Sequence, residues 1–180
     1  SSDLDRDFKS YFKKFVYEIN HSIFNSGVKC NVTNKDVLSI KNNDYDLVYL
    51  DPPYLLNNSK NESANYLKCY HFLEGISNYD EWKSLINFNS KILNFQDSYL
   101  PNHFKKSIIH ETFEKLILKF RNSKIIISYK YGGLPSIEYI IKLLEKNNKK
   151  VFTNNLHYKY ALNKQNGNAK LNREYLIIGL

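Results

Sequence analysis

The 180-residue sequence contains no methionine, and it opens on Ser1-Ser2. The expectation is of a fragment or a processed chain rather than one that begins at a natural start. Cysteine is scarce too: Cys30 and Cys69 are the two present, in neither a CxxC nor a Cys/His ligand spacing. So sparse a set builds no disulfide framework and no structural zinc site, and it fits a reducing intracellular compartment. No apolar run approaches the roughly 18 residues a membrane-spanning helix needs. Ser1 to Lys14 is charged and amphipathic, unlike the apolar stretch of a secretory signal. The five histidines (21, 71, 103, 110 and 157) show no metal-ligand spacing. Acidic residues are outnumbered, 18 against 26 Lys and Arg, for a formal net charge of +8. That balance favours a polyanionic partner, or else a surface simply filled with Lys and Asn.

What is present is a succession of helix and strand signals. Leu4, Phe8, Phe12, Phe15, Ile19 and Ile23 recur at three- and four-residue spacing, which predicts an amphipathic helix closing near Asn25 to Gly27. Val28 to Thr33 reads as a short strand. Asp46 to Leu50 is a compact apolar run of the kind that makes a buried parallel strand, and it ends in Asp51-Pro52-Pro53, where no ladder can continue. Leu55 to Asn65 is polar and reads as a loop. Short helices are expected around Tyr66 to Ile76 and Asp80 to Leu93. Phe104, Ile108, Ile109, Phe113, Leu116, Ile117 and Phe120 predict a second amphipathic helix. Lys124 to Tyr129 reads as a second buried strand, and Ser136 to Asn147 as a third helix. Val151 to Leu162 and Glu174 to Leu180 read as the strands of a terminal hairpin around Gly167. Strands alternating with helices predict an α/β fold with a three-layer sheet. Residues 1–27 are expected to form an N-terminal helical segment and residues 28–180 the main body. In open α/β sheets ligands bind beyond the carboxyl ends of the strands, and Asp51 falls at such an end.

Asp51-Pro52-Pro53-Tyr54 is the stretch with chemistry in it. An aromatic exocyclic amine is a poor nucleophile because its lone pair is delocalised into the ring. Two acceptors on its two N–H bonds would draw the nitrogen toward tetrahedral geometry. Asp51 offers a carboxylate and Pro52 a backbone carbonyl, on a turn that two fixed proline φ angles hold rigid. Tyr54 adds an aromatic face on which an extruded base could stack. The plainer reading is a turn with a capping aspartate.

Asp46 to Tyr54 resembles the catalytic motif of the Dam-like DNA adenine-N6 methyltransferases. Ser63-Ala64-Asn65-Tyr66 and Tyr70-His71-Phe72-Leu73-Glu74 are similar to the segment after that motif in the restriction-modification branch. Ile127-Ser128-Tyr129 with Gly132-Gly133-Leu134 resembles the next strand and turn. Tyr158-Lys159-Tyr160 and Glu174-Tyr175-Leu176-Ile177 resemble the terminal hairpin. The resemblance covers most of residues 28–180.

It implies the C-terminal part of a class I methyltransferase sheet with a terminal β-hairpin and flanking helices. It further implies S-adenosyl-L-methionine as methyl donor, adenine in double-stranded DNA as acceptor, and a prokaryotic cytoplasmic setting. Asp51, Pro52, Pro53 and Tyr54 would be catalytic, with Asp51 also facing the cofactor. Asp36 and Val37 would contact the cofactor's adenine; equally, Asp36 could cap a helix with Val37-Leu38 in the core. Tyr158 or Tyr160 would flank the flipped base, or else form a cross-strand aromatic pair. Lys159, Lys164, Lys170 and Arg173 would meet phosphates, or else make a solvated basic loop.

The family's glycine-rich cofactor loop has no counterpart here. The six glycines stand at 27, 75, 132, 133, 167 and 179, and none forms a phenylalanine-glycine-glycine turn. The following strand with its ribose-binding acid is missing too, as is most of a recognition domain. The expectation is that an N-terminal half lies on a second chain or has been removed, and that Asp46 to Leu50 is an exposed edge without it. Two other functions fit the same motif: a non-catalytic DNA- or partner-binding half of a split methyltransferase, and an RNA base-amine methyltransferase.

Overall fold

The computed structural model describes residues 7–41, 44–57, 66–96, 103–157 and 173–180. They fall into two compact units, Ser1–Lys35 and Asp36–Leu180. In the first, helix α1 spans Phe8–Ser22 and begins where the Asp7 side chain accepts hydrogen bonds from the Lys9 and Ser10 amides. Its apolar residues stay open to solvent, Phe8, Phe12 and Phe15 among them. The strand expected at Val28 to Thr33 does not form. Val28 and Val32 are exposed and no neighbouring strand stands among the described residues to pair with, so β-branched residues alone do not make a ladder.

The second unit carries the sheet. It starts with a single 3-10 turn, Val37–Ser39, and strand β1, Leu47–Leu50. Strand β2 (Leu55–Leu56) and helices α2 (Tyr66–Cys69), α3 (His71–Ser77) and α4 (Trp82–Leu85) follow. The helix expected over Asp80 to Leu93 shrinks to the one turn of α4. Asn87 and Ser90 turn the chain back instead, the Asn89 amide donating to the Asn87 side chain and the Asn87 amide to the Asn94 carbonyl, so that Ile86 bridges Phe95. Helix α5 is Ile109–Lys119, shorter than its apolar spacing suggests because 105–108 form a turn. Strands β3 (Lys124–Lys130) and β4 (Gly133–Leu134), helix α6 (Ile137–Lys146), and strands β5 (Val151–His157) and β6 (Arg173–Gly179) complete it.

The four-stranded sheet has the order β1-β3-β6-β5. β1 runs parallel to β3, with Leu50 beside Ile127, while β6 is antiparallel to both β3 and β5. The terminal antiparallel pair is thus present, and β1 is an edge strand among the described residues. Among the described residues of Asp36–Leu180, the fully buried core lies on one face of the sheet. Ile125, Ile127 and Tyr129 of β3 and Ile177 of β6 are fully buried against Phe113 and Ile117 of α5 and Ile140 and Leu144 of α6. Burying each such side chain contributes about 1.5–3 kcal/mol. Among the described residues of Asp36–Leu180, helices α5 and α6 cover one face of the sheet, against the three layers expected from the sequence. No helix of the described residues is long and apolar enough to cross a membrane.

Candidate active site

β1 stops at Leu50 because the next backbone positions include two prolines without N–H groups. Pro52 turns inward and is buried, whereas Asp51 stays exposed. The chain then folds back so that β2 pairs with β4 and Leu55 enters the core. Between these anchors, Tyr54 is half-buried. Its hydroxyl donates to Oδ1 of Asp51 at 3.1 Å and lies 3.5 Å from Oγ of Ser128. Its ring meets the Tyr129 ring edge-on, with centroids 5.8 Å apart and planes at 83°. Burial pushes the Tyr54 hydroxyl up to about 12, so it remains a proton donor.

Tyr129 forms the floor beneath this arrangement. It packs edge-on against Phe113 at 5.6 Å, and its hydroxyl is buried without a partner among the described residues. Burial raises its pKa well above the ordinary tyrosine value. Gly133 admits this ring: a Cβ there would stand 2.5 Å from a Tyr129 ring carbon.

Beside Asp51 opens a cavity of about 240 Å³ lined by Val37, Tyr49, Leu50, Asp51, Pro52, Pro53, Phe104, Phe113 and Leu116. One charged side chain stands among apolar ones. Val37 is therefore where a cavity ligand would touch it, and it also packs on the core. Asp36 does what its capping reading predicts: Oδ1 accepts from the Leu38 amide at 2.9 Å. Its Oδ2 is 2.9 Å from Nε2 of His103, and this contact is the leading cause holding the carboxyl below the ordinary aspartate value. Lys119 further ties the turn to α5 by donating to the Ile40 carbonyl.

The sequence therefore brings Asp51, Pro52, Pro53, Tyr54 and Val37 together, with Asp36 one residue outside the cavity. Tyr158, Lys159, Tyr160, Lys164 and Lys170 lie outside the described residues. Arg173 opens β6 opposite His157. Phe104, Ser128, Tyr129, Gly133 and His103 join the site through the fold rather than through any local sequence signal. Ser128 is 74 positions from Tyr54 and His103 is 67 from Asp36, so no local pattern announces either pair.

The family model for the D12 class N6 adenine-specific DNA methyltransferases matches residues 3–116. The chain belongs to that family. The match runs through the Asp51 motif and both sides of the cavity, from Val37 to Leu116. Among curated proteins, the Type II methyltransferase M.NlaIII of Neisseria lactamica is 32% identical over 143 residues, covering 77% of this chain and 39% of that protein. This D12-class chain thus spans about two fifths of the length of the curated relative it matches. No solved structure matches it.

Proposed function

We propose that the chain carries the methyl-acceptor site of an S-adenosyl-L-methionine-dependent DNA adenine-N6 methyltransferase of restriction-modification type. The observation that carries this reading is the placement of Asp51 at the carboxyl end of β1, in the wall of a cavity, with one carboxylate oxygen bonded by Tyr54. A flipped adenine would give one N6 hydrogen to the carboxylate and the other to the Pro52 carbonyl. Both acceptors would stand in place before the base arrives, so positive charge developing on N6 would meet a preorganised negative field. Tyr54 would offer a ring face to the base, its ring held edge-on to that of Tyr129. The net charge of +8 suits a DNA backbone, with Arg173 and the lysines of 159–170 as the phosphate contacts. The name of the relative, a Type II methyltransferase, supports the restriction-modification setting.

The bound cofactor would supply an electrophilic methyl group. Val37, Leu50, Pro52 and Phe104 fit a flat apolar ring. The cavity of about 240 Å³ falls below the roughly 300–1,000 Å³ of small-ligand sites, and among the described residues its lining beyond Asp51 and Tyr49 is apolar. We therefore read it as part of a cofactor site. The remainder would come from polypeptide that pairs with β1, an edge strand among the described residues. Calorimetric titration of the 180-residue chain with S-adenosyl-L-methionine is expected to show no micromolar binding; micromolar affinity would sink the partial-site reading.

The acceptor role is tested by Asp51→Ala in the methylating protein. Loss of a preorganised electrostatic partner should lower the rate by about 10²–10³-fold. Undiminished methylation would instead favour the non-catalytic, DNA-binding reading.

A further inference from the structure

Ser128 sits on β3, 8% exposed, one residue beyond the level at which β1 ends. A tyrosine hydroxyl has a single hydrogen. Tyr54 gives its hydrogen to Asp51, so toward Ser128 its oxygen can only accept. The chain of bonds then has one direction, from the Ser128 hydroxyl to the Tyr54 oxygen and from the Tyr54 hydroxyl to the carboxylate. The ring between them is fixed by Tyr129, which Phe113 and the bare Gly133 hold in turn.

We propose that Ser128 is a positioning residue for the acceptor carboxylate, acting through the Tyr54 hydroxyl. By donating to Tyr54 it pins that hydroxyl's rotor and polarises the bond to Asp51. One oxygen of Asp51 is thereby committed to Tyr54, which sets the orientation in which the carboxylate meets the target amine. The inference rests on the reading of Asp51 as the acceptor for that amine. The 3.5 Å separation is long for such a bond, and contacts of this kind tighten when substrate completes the site.

Two measurements test it. In the methylating protein, Ser128→Ala should lower kcat about fivefold, the worth of one neutral hydrogen bond, while KM for DNA stays unchanged. Ser128→Thr should restore the rate. In a Tyr54→Phe background, Ser128→Ala should have no further effect, because the hydroxyl it acts through is gone. An equal loss in both backgrounds, or no rescue by threonine, overturns the proposal. The second measurement needs no activity. In the 180-residue chain with ring-labelled tyrosine, NMR should show the Tyr54 hydroxyl proton exchanging faster in Ser128→Ala than in the parent. Unchanged exchange also overturns it. A protein that methylates no adenine yet shows Ser128-dependent Tyr54 exchange would refute the role of Asp51 and leave the bond chain standing.

Discussion

The two faces of the central sheet are made of similar residues and meet different fates. On one, Ile125, Ile127 and Tyr129 have no exposed surface, sealed by α5 and α6. On the other, Tyr49 and Phe152 are 58% and 45% exposed, while Ile126 and Ile178 are only half-buried. β3 reads Ile125-Ile126-Ile127 without alternation, which is how a strand covered on both faces is written. A sheet with one wet face alternates apolar and polar residues instead. The strand is thus composed for cover on both faces, while the described residues of Asp36–Leu180 seal one. The open face adjoins the open edge of β1, and the proposed acceptor carboxylate stands at the end of that edge strand.

This contrast can be broken or sharpened by substitution. The largest stability effect should come from the sealed face: Ile127→Ala is expected to cost about 2–5 kcal/mol by urea unfolding, because it leaves a cavity under two helices. Tyr49→Ala on the open face should stay within about 0.5 kcal/mol. Similar losses at both positions would mean that the open face is covered after all. An intermediate effect is expected at the border. Gly133→Ala forces a Cβ into the Tyr129 ring, an overpacking that should destabilise by about 1–3 kcal/mol. It should also disturb Tyr54, and an unshifted unfolding midpoint would show that the ring has room to move.

The smallest effect is electrostatic. The Asp36 carboxyl is held below its ordinary value of 3.8, chiefly by His103. A depressed carboxyl adds stability above its unfolded value and loses it as pH falls through the folded one. Asp36→Asn keeps a capping side chain and removes the charge. Its stability deficit should therefore be present at neutral pH and vanish on acidification below 3.8. A deficit that grows in acid would contradict the assignment. With the carboxyl more than a third exposed, the change is expected to be small.

The sequence announced the elements with strong local signals and missed those that depend on partners. The run from Leu47 to Leu50, the break at Pro52-Pro53, helices α5 and α6 and the terminal strand pair were all legible from apolar spacing and from proline and cap chemistry. Ser136 capping α6 is a local signal of that kind. Val28 to Thr33 failed as a strand because strand formation is decided by a neighbour, not by β-branching. The candidate site divides the same way. Asp51 to Tyr54 is one contiguous stretch and could be read directly. Ser128, Tyr129, Phe104 and His103 reach it only through the parallel pairing of β1 with β3 and the packing of α5.

The central claim concerns which amine the site at Asp51 serves. DNA and RNA incubated with S-adenosyl-L-methionine and the methylating protein should each be digested to nucleosides and analysed by mass. The account predicts N6-methyldeoxyadenosine from double-stranded DNA, gone with Asp51→Ala. A methylated RNA base, or N6-methyldeoxyadenosine that persists without Asp51, would contradict it.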